Sequence, residues 1–187
     1  INMEHNKGWM GAINLALDSC DTTYFCMLND DVVFIPGNNL FWRQLIGSFN
    51  YGDVGAVAPC SNFVAGTQSL MALDTPDYME TSLLIGMCLV LETEFFKSVG
   101  GLDETLPGGD DLDLSIRVLD AGKKLICNRH AYLHHHGQQT GKRVKGDDWD
   151  SLAHQERTNN ALIRKHGIRK WYRTFCAGWD FPAAGVA

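Results

Sequence analysis

The stretch from Tyr24 to Ile35 most constrains how this chain can fold. An apolar run of β-favouring residues, Tyr24 to Leu28, ends abruptly at Asn29-Asp30-Asp31, and a second apolar run, Val32 to Ile35, follows. Adjacent carboxylates between two buried segments are costly unless they are paired, because a charge removed from water needs a partner. Mg²⁺ and Mn²⁺ are natural partners, since both prefer carboxylate oxygen. The stretch therefore predicts a strand that presents a divalent metal at its carboxyl end. An Asx turn that merely caps the strand is the alternative.

Apolar periodicity predicts short buried strands that alternate with helices. Helices are expected at residues 7–18, 39–48, 94–99, 111–121 and 152–166. Strands are expected from Tyr24 to Asp31 and at 54–58, 84–91, 124–127 and 131–135. Pro59 is expected to stop the second of these strands, and residues 60–82 and 137–150 are expected to be loops. The first helix should be capped by Asn6 and bury one face, which carries Trp9, Ile13, Ala16 and Leu17. This order favours an α/β sandwich around a mostly parallel sheet, in which ligands bind at the carboxyl ends of strands.

Composition excludes some functions and favours one compartment. The 187 residues suit a single domain spanning 1–187, and the net charge of −6 argues against a nucleic-acid partner. Six cysteines form no CxxC pair, which predicts reduced thiols and a cytoplasmic protein; association with the inner face of a membrane is the alternative. The longest apolar run, residues 83–91, is too short to cross a bilayer, so no transmembrane segment is expected in this chain.

A second acidic cluster follows two glycines, in the stretch from Gly108 to Asp113. The glycines allow a close backbone approach or a positive φ, and Asp110 and Asp111 fall where a helix dipole stabilises a carboxylate. A carboxylate at a helix start beside a loop can reach a hydroxyl and accept its proton. The alternative is a helix cap followed by the surface ion pair of Asp113 with Arg117.

Three consecutive histidines, His134 to His136, end the last predicted strand. Side chains alternate along a strand, so His135 faces opposite to its two neighbours. Imidazole binds Mn²⁺ as well as softer metals, and no cysteine shares the spacing of a zinc site. The loop that follows carries three cations, Lys142, Arg143 and Lys145, which could neutralise a diphosphate; a solvated surface loop is the alternative.

These elements occur in a familiar order. Asn6-x-Gly8 and Asn14 precede Leu28-Asn29-Asp30-Asp31, and Gly100-Gly101-Leu102-Asp103-Glu104 precedes Gly109-Asp110-Asp111-Leu112-Asp113-Leu114-x-x-Arg117, with His135 before Thr140. The chain from residue 1 to about residue 140 resembles the family 2 glycosyltransferases, which have the GT-A fold. The resemblance implies transfer of a sugar from a nucleotide-sugar donor to a saccharide or other hydroxyl acceptor, with inversion. It also implies a divalent metal, Mn²⁺ or Mg²⁺.

The resemblance assigns a role to each matched residue. Asp31 and His135 would bind the metal, with His134 and His136 as shifted alternatives, and Asp111 would be the catalytic base. Gly109 and Asp110 would contact the acceptor. Donor binding would involve Asn6, Gly8, Asn14, Asp30 and the loop cation Arg143. The family's first β-α-β unit is not matched, so a partial domain is expected.

Two other functions fit the same residue types. A metal-dependent hydrolase of phosphoesters or diphosphates would also use Asp, His and a divalent ion. A non-catalytic relative that only binds a nucleotide or a carbohydrate would keep the fold without turnover.

Overall fold

The structure is a computed structural model that describes residues 5–64, 66–70, 76–137 and 151–179. Its helices are α1 (Gly8–Asp18), α2 (Phe41–Gly47), α3 (Thr93–Ser98), α4 (Asp110–Asp120), α5 (Leu152–His166) and α6 (Ile168–Trp179). Its strands are β1 (Tyr24–Leu28), β2 (Val32–Phe34), β3 (Val54–Ser61), β4 (Tyr78–Thr81), β5 (Cys88–Glu92) and β6 (Lys124–His135). Two short 3₁₀ helices span Ser48–Tyr51 and Gly66–Gln68.

The six strands form one mixed sheet. Its order is β1-β5-β3-β6-β2, and β4 also pairs with β6. Among the strand pairings of the described residues, only β3 and β6 run parallel, and the other four pairings are antiparallel, so the expectation of a mostly parallel sheet is wrong. The continuous apolar runs do not report strand direction. They report that a strand is buried on both faces of the sheet. An antiparallel strand is buried in the same way as a parallel one when helices cover both faces.

One edge of the sheet gathers the ends of several strands. Leu28 at the end of β1 pairs with Cys88 at the start of β5. His135 at the end of β6 pairs with Val32 at the start of β2. Because β3 is parallel to β6, it also ends at this edge, at Ser61. The turn that carries Asp30 and Asp31 and the strand end that carries His135 therefore lie at the same edge.

Helices cover both faces of the sheet. In β5, Leu89 and Leu91 pack with α1, α3 and α4, whereas Cys88 and Val90 pack with α2 on the opposite face. A third apolar cluster joins α4 to α5 and α6, and it contains Leu83, Leu106, Leu112, Ile116 and Leu162, with Trp171 and Phe175 at its margin. The start of α4 is thereby fixed by the sheet on one side and by the last two helices on the other.

The predicted elements are largely present, but several differ. β2 and β4 were not expected as strands, and β4 lies within the expected loop 60–82. The strand expected at 84–91 spans only Cys88–Glu92, because the N–H groups of Leu84 and Ile85 donate to the Ser115 and Gln68 side chains instead of to a neighbouring strand.

The strand expected to stop at Pro59 continues to Ser61, because the pairing with β6 shifts register at Pro59 and so accommodates its missing N–H. The two strands expected after Lys124 form the single strand β6. The helix α6 was not expected at all. The six cysteines are free, as predicted, although their compartment stays a prediction.

Candidate active site

The acidic turn between β1 and β2 is fixed from two sides. The backbone N–H of Asn29 donates to Met87 O at 3.0 Å, on the segment that leads into β5. The carbonyl of Asp31 accepts from the N–H of His136 at 2.9 Å, at the end of β6. The turn is therefore tied both to the segment before β5 and to the end of β6. Its two carboxylates differ in exposure. Asp30 is exposed, whereas the side chain of Asp31 is only 12% exposed.

Asp31 and His135 face each other across this edge. Asp31 Oδ1 and His135 Nε2 are 3.1 Å apart, and the histidine side chain is 9% exposed. The other ring nitrogen, Nδ1, lies 2.9 Å from Phe63 O, which can only accept, so Nδ1 carries a proton. In a neutral ring, Nε2 then presents a lone pair, which lies 3.4 Å from the Asn29 Nδ2 donor and beside the Asp31 carboxylate oxygen. Within the described residues Asp31 Oδ1 is a buried oxygen that accepts no hydrogen bond, despite its short distance to His135. A cation shared by these two acceptors would satisfy both.

The loop after β3 holds His135 in place. The side-chain amide of Asn62 clamps the histidine backbone, since its Oδ1 accepts from His135 N at 2.8 Å and its Nδ2 donates to His135 O at 3.1 Å. The Phe63 ring packs edge-on against the imidazole, with centroids 5.9 Å apart. The same ring lies over Gly137, where an added Cβ would overlap it. Asn62 and Phe63 were missed from the sequence, because residues 60–82 show no periodicity or motif.

The other two histidines of the triplet point away from Asp31. The His134 and His136 rings lie 5.0 Å apart, centroid to centroid, and His136 is exposed. Tyr132 OH is 3.5 Å from His134 Nδ1. Alternation along the strand thus selects His135 as the histidine that faces the acidic turn, which favours the expected choice among the three.

The second acidic cluster begins α4, as the sequence predicts. Gly109 precedes the helix with a φ of +74°, a left-handed conformation. An added Cβ there would lie 2.8 Å from Leu162 Cδ1 and 3.0 Å from Thr158 Cγ2, both in α5. Glycine is therefore required both by the backbone turn and by the close approach of α5. Its expected contact with an acceptor stays a prediction.

Asp110 and Asp111 are each held by one donor from elsewhere in the chain. Asp111 Oδ2 accepts from Gly86 N at 3.2 Å. Asp110 Oδ2 accepts from Trp9 Nε1 at 3.0 Å. Removal from water raises the pKa of Asp111 above its ordinary value. Burial, followed by the charge of Asp111, raises the pKa of Asp110 to about 7. Both carboxyl groups therefore hold a proton more tightly than a free aspartate does.

Two adjacent residues connect the clusters. Gly86 N binds Asp111, and the next carbonyl, Met87 O, binds the backbone of Asn29. The start of α4 and the acidic turn thus flank one short segment of chain. Asp31 follows Asn29 by two positions, and its Oδ1 lies 3.1 Å from His135 Nε2. The three elements selected from the sequence converge on the same edge of the sheet.

The third acid of the α4 cluster is structural. Asp113 is fully buried, and its carboxylate contacts Arg117 Nη2 at 2.8 Å, Lys165 Nζ at 2.6 Å and His166 Nε2 at 2.6 Å. Burial would raise its pKa, but the hydrogen bonds from Lys165 and His166 and the charge of Arg117 outweigh burial, so the pKa of Asp113 is lowered. This network ties the end of α5 to α4 and so fixes the helix that carries Asp111.

Some residues assigned to the donor take part in internal contacts. Asn6 Oδ1 accepts from the N–H of Gly8 at 2.8 Å, but the N-cap of α1 is Lys7, so the expected cap at Asn6 is wrong by one position. Asn14 donates to Leu102 O and to Glu104 Oε1, both at 2.8 Å, and accepts from Leu102 N. The amide of Asn14 is therefore engaged in holding the segment after α3, and its donor-binding role stays a prediction. Arg143 lies outside the described residues.

Asp31 and His135 fit a metal ion whose remaining coordination positions are filled by substrate phosphates and water. Within the described part of the chain, no group of three or more His, Cys, Asp or Glu side chains is arranged to hold a metal ion. Asp31 and His135 supply two side chains only. Mg²⁺ and related ions are often bound through one or two protein groups together with substrate phosphates and water. The buried, unpartnered Asp31 Oδ1 is the feature that such an ion would satisfy.

Comparisons with known sequences give relatives of two kinds. An uncharacterised protein of Mycobacterium tuberculosis is 27% identical over 201 positions, which cover 91% of this chain and 75% of that protein. The pre-mycofactocin glycosyltransferase of M. tuberculosis is 30% identical over 146 positions, covering 70% of this chain and 30% of the relative. An uncharacterised glycosyltransferase of Rickettsia bellii is 23% identical and covers 94% of this chain and 28% of the relative. The chain thus spans less than a third of the relatives named glycosyltransferase. No protein-family model matches it.

Comparisons with solved structures identify the fold. GalNAc-T7, solved with UDP, GalNAc and Mn²⁺, superposes with a TM-score of 0.66 at 13% identity, over 92% of this chain and 38% of that one. The mannosyltransferase PcManGT of Pyrobaculum calidifontis, solved with GDP-Man and Mn²⁺, gives a TM-score of 0.57 at 15% identity, over 100% of this chain and 58% of that one. The fold is the mixed α/β fold of the GT-A glycosyltransferases. Together with the sequence relatives, these findings support a glycosyltransferase-like family for the chain.

Proposed function

We propose that this chain is an inverting, metal-dependent glycosyltransferase domain that moves a sugar from a nucleotide-sugar donor to an acceptor hydroxyl. The observation that carries the proposal is the convergence of Asp31, His135 and Asp111 on one sheet edge, with Asp31 Oδ1 and His135 Nε2 3.1 Å apart. The relatives named glycosyltransferase and the two neighbours solved with Mn²⁺ support it.

Asp31 and His135 would hold the metal, which, when bound, neutralises the charge of the donor diphosphate. The hydrogen bond from His135 Nδ1 to Phe63 O leaves the lone pair on Nε2, and a bound metal would replace the long contact of Nε2 with Asn29 Nδ2 at 3.4 Å. The exposed Asp30 lies beside this pair, where a donor ribose could reach it. The same turn therefore serves both the metal and the nucleotide.

Asp111 would be the general base. It takes the proton of the acceptor hydroxyl, while that oxygen forms a bond to the anomeric carbon and the bond from this carbon to the diphosphate oxygen breaks. Nucleoside diphosphate leaves on the opposite face, so configuration inverts. The hydrogen bond from Gly86 N orients the carboxylate, and its raised pKa makes it a stronger base than a free aspartate once it is ionised.

We propose that the acceptor is a saccharide or another hydroxyl compound, that residues 1–187 belong to one GT-A domain, of which they are a part, and that this domain acts in the cytoplasm. Among the described residues, no helix is both long enough and apolar enough to cross a membrane.

The first experiment is a thermal-shift screen of nucleoside diphosphates with and without Mn²⁺. A rise in Tm that requires both components supports the proposal, since a ligand that binds only the folded state stabilises it. Sugar transfer is then measured with the matching nucleotide-sugar and a panel of acceptors. A diphosphate hydrolase would release product at the same rate without an acceptor.

The variant Asp111→Asn tests the base. We expect turnover to fall about a hundredfold or more, in the range that general-base removal causes, while nucleotide binding stays unchanged. Asp21→Asn, which changes an exposed aspartate before β1, is the matched control and should retain wild-type turnover. Near-normal turnover in Asp111→Asn would refute the assignment of the base.

A further inference from the structure

Trp9 lies at the candidate active site without belonging to the core. The sequence places it on the buried face of α1, but its side chain is 38% exposed. The residues of α1 that pack against the main core are Met10, Ile13, Ala16 and Leu17. The position of Trp9 therefore needs an explanation other than packing.

A hydrogen bond ties the indole ring to the first residue of α4. Trp9 Nε1 donates to Asp110 Oδ2 at 3.0 Å, across 101 positions of sequence. Asp110 is the direct neighbour of Asp111, whose carboxylate is held by Gly86 N. The N–H edge of the ring is thus tethered beside the two carboxyl groups, and part of the ring remains open to solvent. A tethered aromatic ring loses little conformational freedom when a ligand stacks on it.

This pairing of groups suits one class of ligand. A pyranose ring presents hydroxyl groups at its rim and C–H groups on its faces. Carboxyl groups such as those of Asp110 and Asp111 hydrogen-bond hydroxyls, and an indole face offers a flat apolar surface with a polar edge. A phosphate would add negative charge beside these two groups, and a flexible alkyl chain offers them no hydroxyl to bind.

We propose that Trp9 is the platform on which the acceptor stacks, and that the acceptor is therefore a saccharide whose ring packs on the indole. The inference rests on the proposed function and narrows its acceptor. Trp9 binds substrate in this scheme, and Asp111 alone takes the proton.

The test measures equilibrium binding of methyl hexopyranosides by saturation-transfer NMR, so it does not depend on turnover. Trp9→Ala removes the ring, and we expect it to raise the Kd of the glycosides that bind at least tenfold. Trp9→Phe keeps an aromatic face but loses the N–H, and its Kd should stay within about threefold of wild type, since stacking depends on the face.

Trp42→Ala is the matched control. Trp42 is exposed to a similar extent, at 43%. It lies in α2, which covers the opposite face of the sheet, and its ring packs against the rings of Phe34 and Phe41. Its removal should leave the Kd unchanged. An equal loss in Trp9→Phe and Trp9→Ala would overturn the inference, because the hydrogen bond to Asp110 would then be the important feature.

The nucleotide thermal shift separates this inference from the proposed function. If nucleoside diphosphate with Mn²⁺ raises Tm but no methyl hexopyranoside binds, the inference about Trp9 fails and the transferase proposal stands. If glycosides bind through Trp9 but no nucleotide does, the platform is supported and the transferase proposal fails.

Discussion

Replacing Gly109 with alanine should destabilise the protein through two separable effects. The residue has a φ of +74°, and the left-handed conformation costs about 1–2 kcal/mol for a residue with a Cβ. The new Cβ would also lie 2.8 Å from Leu162 Cδ1 and 3.0 Å from Thr158 Cγ2. Relieving that overlap in a packed interface costs about 1–3 kcal/mol more. We expect a total loss of about 2–5 kcal/mol, which lowers Tm by about 4–20 °C for a chain of this length.

Gly122→Ala isolates the backbone effect. Gly122 also has a φ of +74°, but nothing lies within 4 Å of a Cβ placed there. Urea unfolding of the two variants therefore compares the same backbone strain with and without the clash against α5. We expect Gly109→Ala to be the more destabilised by at least about 1 kcal/mol. Equal losses would refute the close packing of α5 against the start of α4.

Two further predictions concern the same edge of the sheet. Because the pKa of Asp110 is raised from 3.8 to about 7, the folded state holds a proton that the unfolded state releases between about pH 4 and pH 7, and stability falls as pH rises through that window. Asp110→Asn should therefore raise Tm at pH 8 but not at pH 4, as measured by differential scanning fluorimetry; a gain of equal size at both pH values would contradict this. Asn62→Ala removes both hydrogen bonds to the His135 backbone and should weaken Mn²⁺ binding in the presence of a nucleoside diphosphate about 10- to 100-fold, as measured by EPR of free Mn²⁺. The exposed Asn50→Ala is its control, and unchanged affinity in Asn62→Ala would show that the clamp does not position the histidine.

The local sequence determined the elements that carry the site. Tyr24 to Leu28 forms β1, because its residues favour extended structure, although the turn that starts at Asn29 ends the strand before the expected Asp31. The helix at 152–166 has the expected bounds, since the Ser151 side chain accepts from His154 N at its start and Gly167 ends it. The order of the acidic and histidine motifs was sufficient to indicate the GT-A fold.

Only the tertiary structure decided which groups meet. Apolar runs report burial, and a strand buried on both faces looks the same whether its neighbour is parallel or antiparallel, so strand direction could not be predicted. Asn62 and Trp9 form hydrogen bonds with partners 73 and 101 positions away, and no local period encodes such contacts. His135 was selected over His134 and His136 because its side of β6 faces Asp31. The residue types were fixed locally, but their function depends on long-range pairing, since chemistry at a site requires side chains to be neighbours in space.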